Sequence, residues 1–367
     1  MGILQPIWDG TFVYREPVCF SADKDGRPTG GTLLYQPEEI LSVTSFDGSV
    51  FYQPVRDYTA NGRQLVRTEA SRIPYLERSV YCKPFTGVPE TAWVRLSGGK
   101  AYMEVVSDVY RWQTLVTYTH RDKWAGFQPE ACGESLPRSM KKLRAGGDFH
   151  LTLYGDSITA GWEASGCNER AIDMVTLGEY HVSLWHAPYQ PAWAELVTNA
   201  LQARYPQSNV IKTNRAAGGS TVQWGVEHAA ELVPPCKPDL IMLGFGMNSM
   251  QESAEDYRRA ILSIIRTIRK ECHDCEFVLV SPMIPNPEIK GFQNNQLPAQ
   301  QDVLYQIAAE LEGVCIAPVH SVFREMTARG KHYLELTGNC INHPNDFSVR
   351  VYAQTVLRTL GVDGNDG

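Results

Sequence analysis

The chain has 367 residues, 43% of them apolar and 20% charged, proportions that exclude a disordered protein and, at this length, predict two domains. Lys and Arg number 34 against 41 Asp and Glu, a net charge of −7 without a basic run, which excludes nucleic acid as a partner bound through its phosphates. No apolar stretch approaches the ~20 residues of a bilayer span, so no membrane partner is predicted.

The texture changes near residue 145 and predicts a domain over 1–145 and another over 146–367. In the first, short β-rich runs alternate with Gly, Asp and Pro turn signals. They are Gly31–Tyr35, Ile40–Ser45, Ser49–Tyr52, Ala92–Leu96, Tyr102–Val106 and Trp112–Thr119. Short strands so punctuated predict an antiparallel, all-β sandwich, jelly-roll-like. The aromatics Trp93, Tyr102, Tyr110, Trp112 and Trp124 are assigned to its core. Residues 135–147 read as a connector with one basic helical turn.

From residue 148 strands alternate with helices. Predicted strands are Phe149–Tyr154, Asn209–Thr213, Leu240–Leu243, Phe277–Val280 and Val314–Ala317. Predicted helices are Pro191–Arg204, Asp256–Cys272, Gln300–Leu311 and Asp346–Leu360. The second has the clearest face, with Tyr257, Ala260, Ile261, Ile264, Ile265 and Ile268 recurring at three and four residues. This alternation predicts an α/β domain: a parallel sheet with helices on both faces and a site at the carboxyl ends of the strands.

Nine scattered cysteines, an odd number, and an N-terminus without a basic segment followed by an apolar core lead to the expectation of reduced thiols and a cytoplasmic location. Cys272 and Cys275 form one CxxC, but no second pair stands at zinc spacing, and His181 and His186 lack a third ligand. No metal site is predicted. The sequence leaves homo-oligomer formation open.

Four segments can carry chemistry. Gly155-Asp156-Ser157-Ile158 follows the strand at 149–154, so Ser157 falls at the carboxyl edge, as a nucleophile or as a helix cap. Asn214-Arg-Ala-Ala-Gly-Gly-Ser220 follows the second strand, and Gly246-Met-Asn-Ser249 the third. Asn342-His-Pro-Asn-Asp346 precedes the last helix. A serine, a glycine backbone donor, a side-chain amide and a histidine are the parts of acyl transfer.

In this order the four segments resemble the blocks of the SGNH, or GDSL, hydrolases, over roughly residues 149–361. The resemblance implies a three-layer α/β/α, flavodoxin-like esterase domain that needs no cofactor. It assigns Ser157 as nucleophile, Gly219 and Asn248 as oxyanion donors and His343 as the catalytic histidine. A β-sandwich placed ahead of such a domain is similar to the arrangement in some two-domain carbohydrate acetylesterases of this superfamily.

The chain departs from the family pattern where Asp usually stands three residues before the histidine, because that position is Cys340. Relatives with a leading β-sandwich that work with a Ser–His dyad suggest a backbone carbonyl, here that of Cys340, as the group orienting the imidazole. Asp346 and Glu335 are the other candidates, and Asp346 also reads as the N-cap of the last helix. Ser249 stands where Asp is common.

The run from Trp162 to Trp185 is a long insertion, read as a lid or binding wall. Trp162, Trp185 and Trp224 are its candidate sugar contacts or neighbours of them. The elbow motif GxSxG of the α/β-hydrolase fold is absent from the sequence. The expectation is a serine esterase that removes short acyl groups, mainly acetyl, from an acylated carbohydrate. The alternatives are a lipid esterase or thioesterase of the same superfamily and an inactive glycan-binding protein.

Overall fold

A computed structural model describes residues 2–23, 25–78, 109–289 and 291–362, and the backbone alone of 94–95 and 102–103. Five strands of the C-terminal part, β10 (Gly147–Gly155), β13 (Ser208–Asn214), β14 (Leu240–Gly244), β15 (Glu276–Val280) and β16 (Val314–Ala317), form a parallel sheet in the order β13-β10-β14-β15-β16. All residues of β14 and β15 are buried, as expected of apolar runs covered on both faces.

The pleat sends alternate side chains to opposite faces. Leu151, Leu153, Met242, Val278 and Val280 join a cluster with the helices Trp193–Arg204 and Asp346–Leu360, through Trp193, Val197, Tyr352 and Val356. Ile241, Leu243, Phe277 and Leu279 join the other, with helices Val222–Leu232, Ala254–Arg269 and Leu297–Glu310. The result is a three-layer α/β/α domain. Helix Ala254–Arg269 buries the predicted face and starts at Ser253, whose hydroxyl accepts the Asp256 N–H. The strand order places the topological switch between β10 and β14, where ligands of such sheets bind.

Among the described residues the N-terminal part is mainly β, with a short helical turn at Val109–Trp112. Strands β1 (Phe12–Ala22), β2 (Pro28–Thr29), β3 (Pro37–Ser45) and β9 (Gln113–His120) form a mainly antiparallel sheet ordered β2-β1-β9-β3, with β6 (Tyr75–Leu76) beside β1. Two smaller ladders are β4 (Tyr58–Asn61) with β5 (Gln64–Arg67), and β7 (Val94–Arg95) with β8 (Tyr102–Met103). The predicted strands at 40–45 and 112–119 are present. Gly31–Tyr35 and Ser49–Tyr52 form no strand and pair only through single bridges, Thr32 to Gln64 and Phe51 to Thr44. β1 escapes prediction because Arg15-Glu16-Pro17 interrupts the alternation. There the register shifts between Val13 and Glu16, and Glu16 turns into the core as a buried carboxylate. Most of the predicted strands at 92–96 and 102–106, with Trp93 and Cys82, lies outside the described residues.

Three helices among the described residues escape prediction, Val222–Leu232, Val319–Ala328 and the single turn Tyr333–Leu336, and the predicted connector holds the nine-residue helix Pro137–Ala145 rather than one turn. The first carries Gly225 in its interior, which weakens a helical signal. The long insertion holds an antiparallel hairpin, β11 (Asn168–Ile172) with β12 (Glu179–Ser183). Cys272 and Cys275 are free thiols beyond the end of helix Ala254–Arg269, and Cys275 is buried. Among the described residues no helix is long and apolar enough to cross a membrane, and no cluster of three metal-ligating side chains occurs.

A buried charge cluster joins the two parts. Lys331 Nζ lies 2.9 Å from Glu16 Oε1 and 3.3 Å from Glu335 Oε2, and it donates to the carbonyls of Pro17 (2.6 Å) and Thr32 (3.1 Å). All three charged side chains are fully enclosed. Such a group is tolerable because its charges are paired and its polar atoms hydrogen-bonded.

Candidate active site

β10 runs directly into Gly155-Asp156-Ser157. No helix begins at Ser157, which sits in consecutive turns, so the helix-cap alternative does not apply. The turn packs tightly on β14: Thr159 Oγ1 donates to the Gly244 carbonyl at 2.9 Å, and a Cβ on Gly155 would run into that carbonyl oxygen and Thr159 Oγ1. Glycine is required here by close approach. The buried Asp156 carboxylate accepts backbone N–H groups of Ile158, Thr159 and Met247. It thereby ties the serine turn to the turn that carries Asn248. Burial pushes its pKa up to about 7.

Gly219 has φ +79°, a left-handed conformation that glycine adopts without strain. The N–H groups of Ser157 and Gly219 donate to no acceptor among the described residues. Asn248 Nδ2 reaches the same glycine turn, donating to the Ser220 carbonyl at 2.9 Å. Ser249 accepts the Val222 N–H at 2.9 Å, so it joins the Asn248 turn to the helix after the glycine turn.

His343 comes from 186 residues away, and its Nε2 lies 2.8 Å from Ser157 Oγ. Burial lowers its pKa to about 4, so the ring is neutral at pH 7, as a base must be. Around Nδ1 the structure differs from each of the three predicted orienting groups. The Cys340 carbonyl accepts from Asn286 Nδ2 at 2.8 Å instead of holding the imidazole. Glu335 faces the N-terminal sheet, where its Oε1 accepts the N–H groups of Cys19 (3.1 Å) and Gly31 (2.9 Å). Asp346 accepts from Ser165 N (2.9 Å) and Oγ (2.7 Å). Asp346 is not the N-cap either. That residue is Asn345, which accepts the Ser348 N–H at 3.0 Å.

The groups actually near Nδ1 are Asn339 and Glu163, neither of which was a candidate from sequence. Asn339 Nδ2 lies 2.9 Å from Nδ1, while its Oδ1 accepts the N–H groups of Ile341 (2.9 Å), Asn342 (3.0 Å) and His343 (3.1 Å). Glu163 Oε1 lies 4.0 Å from Nδ1. Glu163 follows Trp162, and the only trace of it in sequence is its place six residues after the nucleophile.

Trp162 belongs to the site. Its ring meets His343 edge-on with centroids 5.7 Å apart, and it lies over Gly218, where a Cβ would come within 2.8 Å of Cζ2. Trp224 packs beside Tyr154 and His228 and donates to the Met174 carbonyl at 3.1 Å, so it supports the hairpin from behind. Met174 in turn brings its sulfur to within 4.0 Å of where a Gly219 Cβ would stand. Trp185 is 65% exposed and packs on Tyr189, centroids 5.2 Å apart, rather than on the Ser157–His343 pair.

A hydroxyl–imidazole pair and unpaired backbone N–H donors at the switch point of a flavodoxin-like sheet fit an SGNH-type hydrolase domain. The chain belongs to the GDSL-like lipase/acylhydrolase family, whose model matches residues 153–348. No curated protein matches the chain. Among solved structures it is similar to a two-domain esterase active on acetylated mannans, with 21% identity and TM-score 0.47 over 65% of this chain and 56% of that one. It is also similar to an acetylxylan esterase from Geobacillus stearothermophilus, with 19% identity and TM-score 0.46 over 59% of this chain and 96% of that one. A third is LAE5, an alpha/beta hydrolase from the metagenome of Lake Arreo, Spain, with 20% identity and TM-score 0.45 over 61% and 100%. This chain thus spans just over half the length of the mannan esterase.

Proposed function

We propose that this protein is a serine esterase that removes short acyl groups, chiefly acetyl, from carbohydrates. The observation that carries the reading is the 2.8 Å contact between Ser157 Oγ and His343 Nε2, set beside the uncommitted N–H groups of Ser157 and Gly219. His343 takes the Ser157 proton as Oγ attacks the ester carbonyl. The two N–H groups and the Asn248 amide receive the oxyanion, a contact that strengthens only as charge develops. His343 then protonates the departing alcohol, and water releases the acid from Ser157.

The short acyl group is supported by the walls at the glycine turn, where Trp162 covers Gly218 and Met174 approaches Gly219. The carbohydrate is supported by the place of the Trp162 indole beside His343, since an aromatic ring next to the leaving alcohol suits a sugar ring.

The test is hydrolysis of nitrophenyl esters with acyl chains of two to ten carbons, by wild type and Ser157→Ala, followed by acetylated oligosaccharides. Acetate release that fades with chain length and is lost in the variant is the expected result. A preference for the longest chains would favour a lipid esterase. Inertness on every ester, acetylated sugars included, would favour a protein that only binds glycan.

A further inference from the structure

An imidazole that takes a proton at Nε2 must keep its other proton at Nδ1 and find an acceptor for it. The nearest group to His343 Nδ1 cannot serve. Asn339 Oδ1 is committed to three backbone N–H groups, which fixes the amide so that Nδ2, a donor, faces the ring at 2.9 Å. In that arrangement Nδ1 accepts and the proton sits on Nε2, the wrong tautomer for a base. Asn339 Nδ2 also has a second acceptor, Asn342 Oδ1 at 3.2 Å, to which it can turn.

Glu163 is the other group at Nδ1. It is 8% exposed, its Oε1 is 4.0 Å from Nδ1, and its Oε2 has no hydrogen-bond partner. Its backbone holds φ +70°, a left-handed value that a glutamate adopts only where its surroundings impose it. Tyr110, from the N-terminal part, converges on the same spot. Its hydroxyl lies 2.5 Å, and Glu163 Cβ 2.9 Å, from where a Cβ on Gly338 would stand, and that hydroxyl is also buried without a partner. A glycine at 338 leaves the room in which the two side chains meet behind the histidine.

We propose that Glu163 is the positioning residue for His343, its carboxylate accepting the Nδ1–H of the reactive tautomer and of the imidazolium that follows; this rests on the serine-esterase reading above. As Ser157 Oγ attacks, its O–H bond breaks, an Nε2–H bond forms, the Oγ electron pair bonds the acyl carbon, and the C=O π pair moves onto the carbonyl oxygen as the oxyanion. The Nδ1 proton stays on nitrogen and is shared with Glu163. Asn339 keeps its three Oδ1 bonds and gives its Nδ2 donor to Asn342 Oδ1 alone, and Tyr110 donates to the second carboxylate oxygen. An unpaired buried carboxylate is costly, and it gains its partner only when the imidazolium forms, so the contact favours the transition state over the ground state. Burial pushes Glu163 up to about 7, which places its ionisation near neutral pH. The other titratable groups facing this pocket are His343, Tyr110 and Cys167, with Asp346 and Arg350 behind Tyr110.

The test uses a probe that does not depend on the natural ester. Diethyl nitrophenyl phosphate phosphorylates an activated serine and releases nitrophenolate. Its rate would be followed against pH in wild type, Ser157→Ala, Glu163→Gln and Glu163→Asp. Wild type should react with a rate that rises through about pH 7. Ser157→Ala should be inert, Glu163→Gln slower by on the order of 10²–10⁴ without that rising limb, and Glu163→Asp partly restored. Wild-type reaction with Glu163→Gln unchanged at every pH would overturn the proposal and leave the esterase reading standing. A wild type that takes no label would bring down both. A measurement on wild type alone covers a variant that fails to fold: in the phosphorylated protein the His343 Nδ1 proton should give a strongly deshielded NMR signal. An ordinary, solvent-exchanging signal there would count against Glu163.

Discussion

The serine side of the cleft rests on the parallel sheet, whereas the histidine side rests on the N-terminal sheet. Ser157, Gly219 and Asn248 leave the ends of β10, β13 and β14, and contacts among their own turns hold them: Asp156 to Met247, Ser249 to Val222, Asn248 to Ser220. The loop before His343 is held from outside. Gln113 in β9 donates to the carbonyls of Leu334 (2.7 Å) and Thr337 (2.8 Å) and accepts from Asn345 Nδ2 at 3.0 Å. Glu335 binds the backbone of Cys19 and Gly31, and Tyr110 abuts Gly338. The N-terminal part is therefore the floor under the histidine, and catalysis should depend on it even where it touches no substrate.

Substitutions on the two sides should separate accordingly. The largest effect is expected on the histidine side. Lys331→Met leaves Glu16 and Glu335 as buried carboxylates without a counter-ion, which should cost about 3–5 kcal/mol in chemical denaturation. Activity should fall in step with the folded fraction. On the serine side, Asn248→Ala should lower kcat by ~10²–10³ with little change in KM or in melting temperature, because the exposed amide lies outside the core and, in the proposed mechanism, serves the oxyanion. Equal loss of stability in the two variants would break the distinction between the sides.

Gln113→Ala should lie between these. It removes three hydrogen bonds under the histidine loop and should cost about 1–3 kcal/mol of stability, with a larger fall in kcat than in kcat of any substitution on the outer face of the same sheet. Full activity in Gln113→Ala would show that the floor is dispensable.

The smallest effect concerns Glu163 and has the opposite sign. Its pKa lies above the unfolded value, so the folded protein binds more protons, and the group's contribution is fully present below about pH 4.5 and lost as pH rises through about 7. Glutamine does not titrate. Glu163→Gln should therefore melt close to wild type at pH 5 and a few degrees higher at pH 8, while being the slower enzyme. A lower melting temperature at both values would mean that the carboxylate stabilises the fold rather than straining it.

What the sequence alone determined is what depends on near neighbours along the chain. Helix Ala254–Arg269 is legible because its face repeats every three or four residues and Ser253 caps it, and the five parallel strands because apolar runs alternate with helices. The serine, glycine, amide and histidine blocks are legible because each is a short turn whose backbone needs particular residues. Tertiary structure decided the rest. β1 hides behind Glu16, whose burial makes sense only once Lys331 arrives from the other part of the chain. Cys340 marks the loss of a local carboxylate before His343, but no spacing rule points to Glu163 on another loop or to Tyr110 behind it. Hydrogen-bond partners for a buried imidazole are chosen by proximity in space, and proximity between segments so distant in sequence is settled by packing, not by any periodicity the chain displays.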